Sequence, residues 1–443
     1  MSRRSAPTVA AILVLLGCRG PAPSAARTDV GGTASRETPP PQASGEDEAR
    51  LPDGHCHPAA LVPTGEGGLL LDACFDPPFV RTDVLAQRLD RTGAAVGPRL
   101  RLARVEGNVL SLAATTHGER LEVAWLAHRG AGAAQSDDRS DVGGGDRELS
   151  LLSVATNLQG PHAVIAVARH PSPRLAESAR GWPRAHAEVA VLADGTRVVL
   201  ATDAEERCPQ GAQSCASWSL FAVSPTGAVR RLHHDSTATP AVEPHALRVV
   251  GDDVLYLRGS DAARSVTYVH VVVPGGGPAS LPAPASEPLI DWSSGTLVAT
   301  NAALVALGEE RSLDAAEART VVRVTPCRGH GGTHPRAAED LEAVRWPVVT
   351  SRTWRCVHQR PLMRVQWRGG SIDLDLTAGS DTLDLGAVVP PALSGLAERH
   401  DAPGWTPPMA WVGEALVALD GHDSLQRWRC AREGAALERV PGD

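Results

Sequence analysis

Residues 188–202 read EVAVLADGTRVVLAT, and the pattern of this stretch indicates the fold class. Two short apolar runs, 188–192 and 197–202, are separated by a polar turn that contains Asp194 and Gly195. Asp and Gly tolerate the positive φ angles that tight hairpin turns require, so the stretch predicts a β-hairpin.

The same pattern recurs along the chain, which favours a repetitive all-β domain. A second kind of hairpin lies between the copies, so that each unit has two hairpins and therefore four strands. We predict a β-propeller of about seven four-stranded blades over residues 51–443; a tandem of β-sandwiches or a β-solenoid is the alternative. The further copies turn near 66–68, 117–118, 251–253, 293–295, 369–370 and 413–414, and the second kind turns near 92–93, 224–227, 274–277 and 433–434.

One unit carries a resemblance that is literal in sequence. Residues 84–90 read VLAQRLD, followed by Gly93 and by Val96-Gly97. This segment resembles a repeat found in secreted proteins of myxobacteria and their relatives. Those repeats look like propeller blades, so the resemblance implies the same fold for this unit.

The beginning of the chain has the features of an export signal. Arginines at 3–4 precede a short apolar run over 6–17, which is too short for a permanent membrane helix. The run ends in Leu15-Leu16-Gly17-Cys18, which resembles the lipobox of bacterial lipoproteins. The resemblance implies that Cys18 is acylated and becomes the new N-terminus; an ordinary cleaved leader with a chance cysteine is the alternative.

We therefore divide the chain into a signal peptide (1–17), a lipidated cysteine with a disordered linker (18–50), and the β domain. The linker is rich in Pro, Ala, Ser, Thr and Gly and cannot bury enough apolar surface to fold. The predicted location is the cell envelope, with a membrane contact through the N-terminal lipid. Arg19, which is not acidic, favours the outer membrane by resemblance to enterobacterial sorting rules.

Composition excludes several classes of function. The chain has no lysine, so a Schiff-base lysine, a P-loop lysine and a Ser-x-x-Lys nucleophile are all excluded. The net charge is −8 and no basic stripe is present, so we expect no nucleic-acid partner.

Seven cysteines remain in the mature chain, and an exported protein meets an oxidising compartment. Cys208 and Cys215 bracket a short loop between two strands and form the strongest disulfide prediction. Two further local pairs are plausible, Cys56 with Cys74 and Cys327 with Cys356, and they would leave Cys430 alone.

Several clusters resemble ligand sets, but each has a simpler interpretation. Cys327, His330 and His334, with Cys356 and His358 beyond them, carry zinc-type ligands, yet they fit a disulfide-closed loop equally well. The same holds for the run at 55–57. Aspartates 137, 138, 141 and 146 suit a solvated acidic loop better than a calcium site, and aspartates 373, 375, 381 and 384 suit an exposed strand face. The Ser, His and Asp of 421–425 are adjacent on a turn and point apart. We assign no metal and no cofactor.

The search for catalytic motifs finds no Gly-x-Ser-x-Gly elbow, no His-Glu-x-x-His pair and no phosphate loop. We therefore assign no catalytic residue and predict a non-catalytic platform that binds an envelope protein or a glycan through loops at one end of the propeller. A propeller-fold hydrolase or lyase, metal-assisted or not, is the main alternative, and a structural component of an envelope assembly is another. Carboxylates, His and Arg converging at the central channel would favour the enzyme.

Overall fold

The computed structural model describes the β domain from residue 56 onward, with gaps. The described residues are 56–76, 81–129, 146–160, 162–171, 185–204, 216–237, 245–250, 253–260, 265–272, 279–280, 290–299, 303–310, 319–328, 332–335, 349–357, 360–368, 370–375, 409–419, 425–430 and 438–440. Within these residues, no helix is long and apolar enough to cross a membrane.

The described strands form seven antiparallel sheets, six with four strands and one with three. Sheet 1 consists of β1 (Cys56–Thr64), β2 (Gly67–Asp76), β3 (Arg81–Leu89) and β4 (Ala95–Glu106). Sheet 2 consists of β5 (Asn108–His117), β6 (Arg120–Arg129), β7 (Asp146–Ala155) and β8 (Ala163–Pro171). Sheet 3 consists of β9 (His186–Val191), β10 (Arg197–Ala204), β11 (Ala216–Val223) and β12 (Val229–Thr237).

The remaining four sheets follow in chain order. Sheet 4 consists of β13 (His245–Val250), β14 (Asp253–Ser260), β15 (Ser265–Val272) and β16 (Ala279–Ser280). Sheet 5 consists of β17 (Ile290–Ala299), β18 (Ala303–Glu310), β19 (Arg319–Arg328) and β20 (Gly332–Pro335). Sheet 6 consists of β21 (Val349–Val357), β22 (Arg360–Trp367) and β23 (Gly370–Asp375), and sheet 7 of β24 (Met409–Val412), β25 (Ala415–Leu419), β26 (Leu425–Arg429) and β27 (Glu438–Arg439).

The inner strands are buried on both faces, because each sheet is covered by a sheet on either side. In β6, every residue from Leu121 to His128 is buried, so the usual alternation of apolar and polar residues is lost. The outermost strand of sheet 1, β4, is largely exposed and alternates only near its end. An inner strand such as β6 therefore has a long continuous apolar run, whereas the outermost strand β4 has only a short apolar stretch.

The sheets are arranged in a closed ring. The first strands of successive sheets contact one another, from β1 through β5, β9 and β13 to β17, and β24 contacts β1. In sheets 1 to 5 the first strand is thus the innermost, and the fourth is the outermost. The fold is a β-propeller, as the sequence predicts.

Apolar clusters fill the spaces between neighbouring sheets. Between sheets 1 and 2, side chains such as Leu71, Val84 and Trp125 pack together. Between sheets 2 and 3, Leu149 and Phe221 belong to a second cluster. Burial of these faces is the main force that stabilises the ring, since a single sheet of this size cannot bury its own two faces.

The ring closes where sheet 7 meets sheet 1. Leu61 and Leu70 of sheet 1 pack with Val412 and Val417 of sheet 7. The turn after β3 also docks on the turn after β24, where the Glu414 N–H donates a 2.7 Å hydrogen bond to the Arg91 carbonyl. Each of these two sheets is formed by one continuous part of the chain, and no described strand crosses between them. We call this interface the closing seam.

Two disulfides lie on either side of the closing seam. Cys56 and Cys74 are paired across β1 and β2 in sheet 1, which confirms that prediction. Cys356 of sheet 6 is bonded to Cys430 at the end of β26 in sheet 7. The predicted pairing of Cys356 with Cys327 is therefore wrong, and Cys430 is not left single. The ring brings residues 74 positions apart into contact, which spacing along the chain could not indicate.

The predicted hairpins agree with the structure at most positions. The stretch at 188–202 forms β9 and β10, joined by the predicted turn. The turn predicted at 293–295 is wrong, because those residues lie within the single strand β17. The register of β17 on β18 shifts between Asp291 and Thr296, so the Ser-Ser-Gly sequence lies at an irregularity of the strand rather than at a hairpin turn.

Candidate functional site

One end of the ring brings the beginnings of the first strands together; we call this end the channel mouth. Because neighbouring strands are antiparallel, the second strands end and the third strands begin at the same edge. The connections 130–145 and 205–215 therefore both leave and re-enter the described domain at the channel mouth. Six of the seven described first strands have a polar residue at their first or second position: His57, Asn108, His186, His245, Asp291 and Thr350.

The best-defined polar pair at the channel mouth is His186 and Glu188, on β9. They are two residues apart, so their side chains lie on the same face of the strand. The His186 Nε2 atom lies 2.8 Å from the Glu188 Oε1 atom. The imidazole is 44% exposed and the carboxylate is 16% exposed, so the pair is reachable from solvent while the carboxylate remains mostly enclosed.

The second oxygen of Glu188 contacts the next sheet. The backbone N–H of Leu247, on the first strand of sheet 4, donates a 2.5 Å hydrogen bond to the Glu188 Oε2 atom. Both oxygens of the carboxylate therefore accept hydrogen bonds, one from an imidazole and one from a backbone amide. These two hydrogen bonds fix the orientation of the carboxylate between sheets 3 and 4.

The surface beneath this pair is formed by the neighbouring strands of sheet 3. Thr202 on β10 is directly opposite His186, and Trp218 on β11 is directly opposite Thr202. Both Thr202 and Trp218 are 1% exposed. The Thr202 hydroxyl makes no hydrogen bond to any residue that the structure describes. Beside His186, the same row of the sheet therefore continues with a buried hydroxyl and a buried indole.

Most other buried carboxylates in the described sheets are paired with arginine and lie away from the innermost strands. Asp72 and Asp83 are in the second and third strands of sheet 1, and Glu122 and Glu148 are in those of sheet 2. Fixed positive partners of this kind are typical of structural ion pairs. The pairs are Asp72 with Arg99, Asp83 with Arg101 and Arg104, Glu122 with Arg197, and Glu148 with Arg129 and Arg169.

Glu122 is 3% exposed and lies near the opposite end of the ring. Burial raises the pKa of its carboxyl, and the hydrogen bond from Ser153 and the charge of Arg197 act in the other direction. Ser153 donates to Glu122 at 2.6 Å, and Arg197 approaches from sheet 3 at 3.5 Å. Glu122 therefore links sheets 2 and 3 and does not belong to the channel mouth.

The candidate residues named from the sequence have different outcomes. Cys18, Cys208 and Cys215 lie outside the described residues, so lipidation and the 208–215 disulfide stay predictions. His330 and His358 of the zinc-type cluster also lie outside them, and Cys356 is consumed by its disulfide with Cys430. The cluster is therefore not a zinc site through Cys356.

The other candidate clusters are only partly described. Asp146 begins β7 at the channel mouth, and aspartates 137, 138 and 141 lie outside the described residues. Asp373 and Asp375 lie in β23, and 421–424 lie outside the described part of the chain. Among the residues that the structure describes, no three His, Cys, Asp or Glu side chains are grouped to hold a metal ion.

The sequence interpretation did not single out His186 or Glu188. Glu188 was read only as the start of a strand, and His186 was not considered. The available signal was the His-x-Glu spacing at the beginning of a predicted first strand. The His-x-Glu spacing indicates a candidate site only when the structure shows which strands surround the central axis of the propeller.

Comparisons with known proteins bear on the fold. No protein-family model matches the chain, and no curated protein matches it. It is similar to the Hadza microbial sialidase Hz136, at 10% identity and a TM-score of 0.40, over 74% of this chain and 67% of that one. It is also similar to Zg3597, a family 117 glycoside hydrolase from Zobellia galactanivorans, at 9% identity and a TM-score of 0.32, over 62% and 85% of the two chains. A third similar structure is the β-propeller domain of the Trilobed protease from Pyrococcus furiosus, at 8% identity and a TM-score of 0.34, over 76% and 85%.

The predicted non-catalytic binding platform is contradicted by this comparison, in which a sialidase and a glycoside hydrolase are among the similar structures. At these identities and TM-scores the similarity assigns no residue and no substrate. The chemistry is argued from the channel mouth.

Proposed function

We propose that the domain is a propeller-fold hydrolase that cleaves glycosidic bonds at the channel mouth, with Glu188 as its base or nucleophile. The observation that carries the proposal is the Glu188 carboxylate, which lies on an innermost strand with both oxygens held by hydrogen-bond donors. A carboxylate held ionised and oriented suits the activation of water or direct attack on carbon.

Glycosidic bonds are the substrate class because their hydrolysis needs little more than two carboxyl groups on either side of the bond. Glu188 supplies one of them. Asp291 is the candidate for the other, because it is the second residue of β17, which begins at the same edge two sheets farther round the ring. A chain without lysine is fully compatible with this chemistry.

The proposed location is outside the cytoplasm, anchored through Cys18. The two disulfides of the described domain support this location, because disulfides persist in oxidising compartments. Incorporation of labelled palmitate into the wild-type protein and not into a Cys18→Ser variant is the expected result. Equal labelling of both would contradict the anchor.

The test of activity uses the mature full-length protein and a panel of aryl glycosides and polysaccharides, with release of the chromophore or of reducing ends as the readout. The key variant is Glu188→Gln, which preserves an acceptor for the Leu247 N–H and removes the charge. Loss of an acid–base or nucleophilic group should lower kcat by about 10²- to 10⁴-fold. Asp291→Asn tests the second carboxyl group in the same way.

The matched control is Glu122→Gln, which neutralises a buried carboxylate near the opposite end of the ring. It should retain the wild-type kcat. If no glycoside is cleaved, or if the Glu188→Gln protein is as active as the control, the proposal is wrong.

A further inference from the structure

We infer that His186 is a positioning residue that orients the Glu188 carboxylate and keeps it ionised, a role that rests on the proposed function. The inference begins with the geometry of the pair, in which the imidazole Nε2 atom and the carboxylate Oε1 atom are 2.8 Å apart. In the proposed function the Glu188 carboxylate acts as an ionised base or nucleophile, which can only accept hydrogen bonds, so the Nε2 atom then carries the proton. The ring is therefore either the neutral Nε2–H tautomer or the imidazolium.

The two side chains differ in exposure. This difference separates the role of His186, which can exchange protons with solvent, from that of Glu188, which is held in one orientation. His186 is almost half exposed at the channel mouth, whereas Glu188 is mostly enclosed between sheets 3 and 4. The imidazole can exchange protons with solvent, while the carboxylate is constrained on its other side by the Leu247 N–H. A change in the charge of His186 is therefore transmitted to an oriented carboxylate.

His186 differs from the partners of the other buried carboxylates. Asp72, Asp83, Glu122 and Glu148 are paired with arginines, whose charge is fixed at every accessible pH. Histidine is the side chain whose charge changes near neutral pH. The channel mouth thus combines a mostly enclosed carboxylate with a partner whose charge changes near neutral pH, whereas the arginine partners of those four carboxylates keep a fixed charge.

Other titratable or charged residues lie on the elements packed against this face. His245 and Arg248 are on β13, the strand that supplies the Leu247 N–H. Asp235 and His233 are on the outer strand β12, in the same register rows as His186 and Glu188 respectively. Substitution of His186 alone, with these four groups unchanged, isolates its own contribution.

The experiment is a double-mutant cycle between His186→Gln and Glu188→Gln in the full-length protein. Glutamine preserves a neutral donor but cannot become charged. The thermal midpoint of all four proteins is measured near pH 5.5, about one unit below the ordinary histidine value, and near pH 8.5, about two units above it. The shift caused by His186→Gln in the Glu188 background should be about twice as large at the lower pH, because a charge-assisted hydrogen bond is roughly twice as strong as a neutral one. In the Glu188→Gln background the shift should not depend on pH.

The matched control is His234→Gln. His234 lies in the same sheet, and its Nδ1 atom is 2.9 Å from the Ser219 hydroxyl rather than from a carboxylate. This control should show no pH-dependent coupling with Glu188→Gln. A purely structural role for His186 would give coupling that is the same at both pH values, and that result would overturn the inference.

Activity gives the second readout. With a cleaved glycoside in hand, His186→Gln should lower kcat roughly 10- to 100-fold with little change in KM, because a displaced group loses its attack geometry. It should also remove one limb of the pH profile. An unchanged pH profile contradicts the inference while leaving the hydrolase proposal intact. A protein that cleaves nothing but still shows the pH-dependent coupling contradicts the hydrolase alone.

Discussion

The closing seam can be tested with two glycines that occupy equivalent turns. Gly413 and Gly118 each follow the first strand of a sheet, and their φ angles are +56° and +59°. A Cβ atom on Gly413 would lie 2.6 Å from the Arg91 carbonyl oxygen, whereas a Cβ atom on Gly118 would have no heavy atom within 4 Å. Alanine at either position therefore has the same backbone strain, and only alanine at 413 collides with sheet 1.

The strain of a left-handed alanine costs about 1–2 kcal/mol, and this is the expected loss of unfolding free energy for Gly118→Ala. Gly413→Ala adds an overpacking cost of about 1–3 kcal/mol. It also displaces the hydrogen bond from Glu414 to Arg91, worth about 1 kcal/mol. The expected total for Gly413→Ala is about 3–6 kcal/mol.

Urea unfolding followed by circular dichroism and tryptophan fluorescence measures both variants. Trp411 donates a 2.8 Å hydrogen bond to the Gly413 carbonyl, so its emission should report the seam directly. The reasoning is refuted if the two variants lose the same free energy within about 0.5 kcal/mol. That result would mean that the turns of sheets 1 and 7 do not touch in solution.

Three other perturbations have expected outcomes. Replacing Cys356 and Cys430 together by serine should lower the unfolding free energy by about 4 kcal/mol, because the disulfide closes a long loop, and peptide mapping of the wild type should recover this pair. Thr202→Val should raise the thermal midpoint, because it removes a buried hydroxyl without a partner; a lower midpoint would reveal a bound water there. Replacing Glu122 and Arg197 together by methionine should be neutral or stabilising by about 1–4 kcal/mol, whereas Glu122→Met alone should cost about 3–5 kcal/mol. Burial raises the pKa of Glu122, so its contribution to stability is present at low pH and lost as pH rises through the folded-state value; the wild type should therefore fall behind the double variant on going from about pH 4 to pH 7 in urea titrations.

Local chemistry explains why the hairpins could be predicted from the sequence. The turn at 192–196 needs a residue with positive φ, and Gly195 at +81° supplies it between two apolar runs. The same logic fails at 293–295, because a Ser-Ser-Gly run suits an irregular strand as well as a turn. A tight turn and a strand irregularity use the same residue types, and only pairing with β18 distinguishes them.

The closed ring determines the features that the sequence could not supply. Cys356 meets Cys430 because sheets 6 and 7 are neighbours, whereas the nearer Cys327 was the obvious partner on spacing alone. Glu188 becomes a candidate catalytic group only because β9 is an innermost strand and because Leu247 of the next sheet donates to it. The Cys356–Cys430 disulfide and the position of Glu188 both depend on which sheets are neighbours in the ring. The sequence of a single hairpin does not indicate which sheets will be neighbours.

The way in which sheets 1 and 7 meet affects which gene rearrangements a chain with this fold can tolerate during evolution. Since no described strand of either sheet pairs with a strand of the other, the seam consists of apolar packing and of contacts between turns. A chain built this way has no topologically privileged starting point. Gene rearrangements that relocate the termini to another sheet boundary, or that duplicate or delete one whole sheet, would leave every remaining hydrogen-bonded sheet intact. The repeating unit of the domain is therefore one sheet, and recombination between repeats can change the number of sheets.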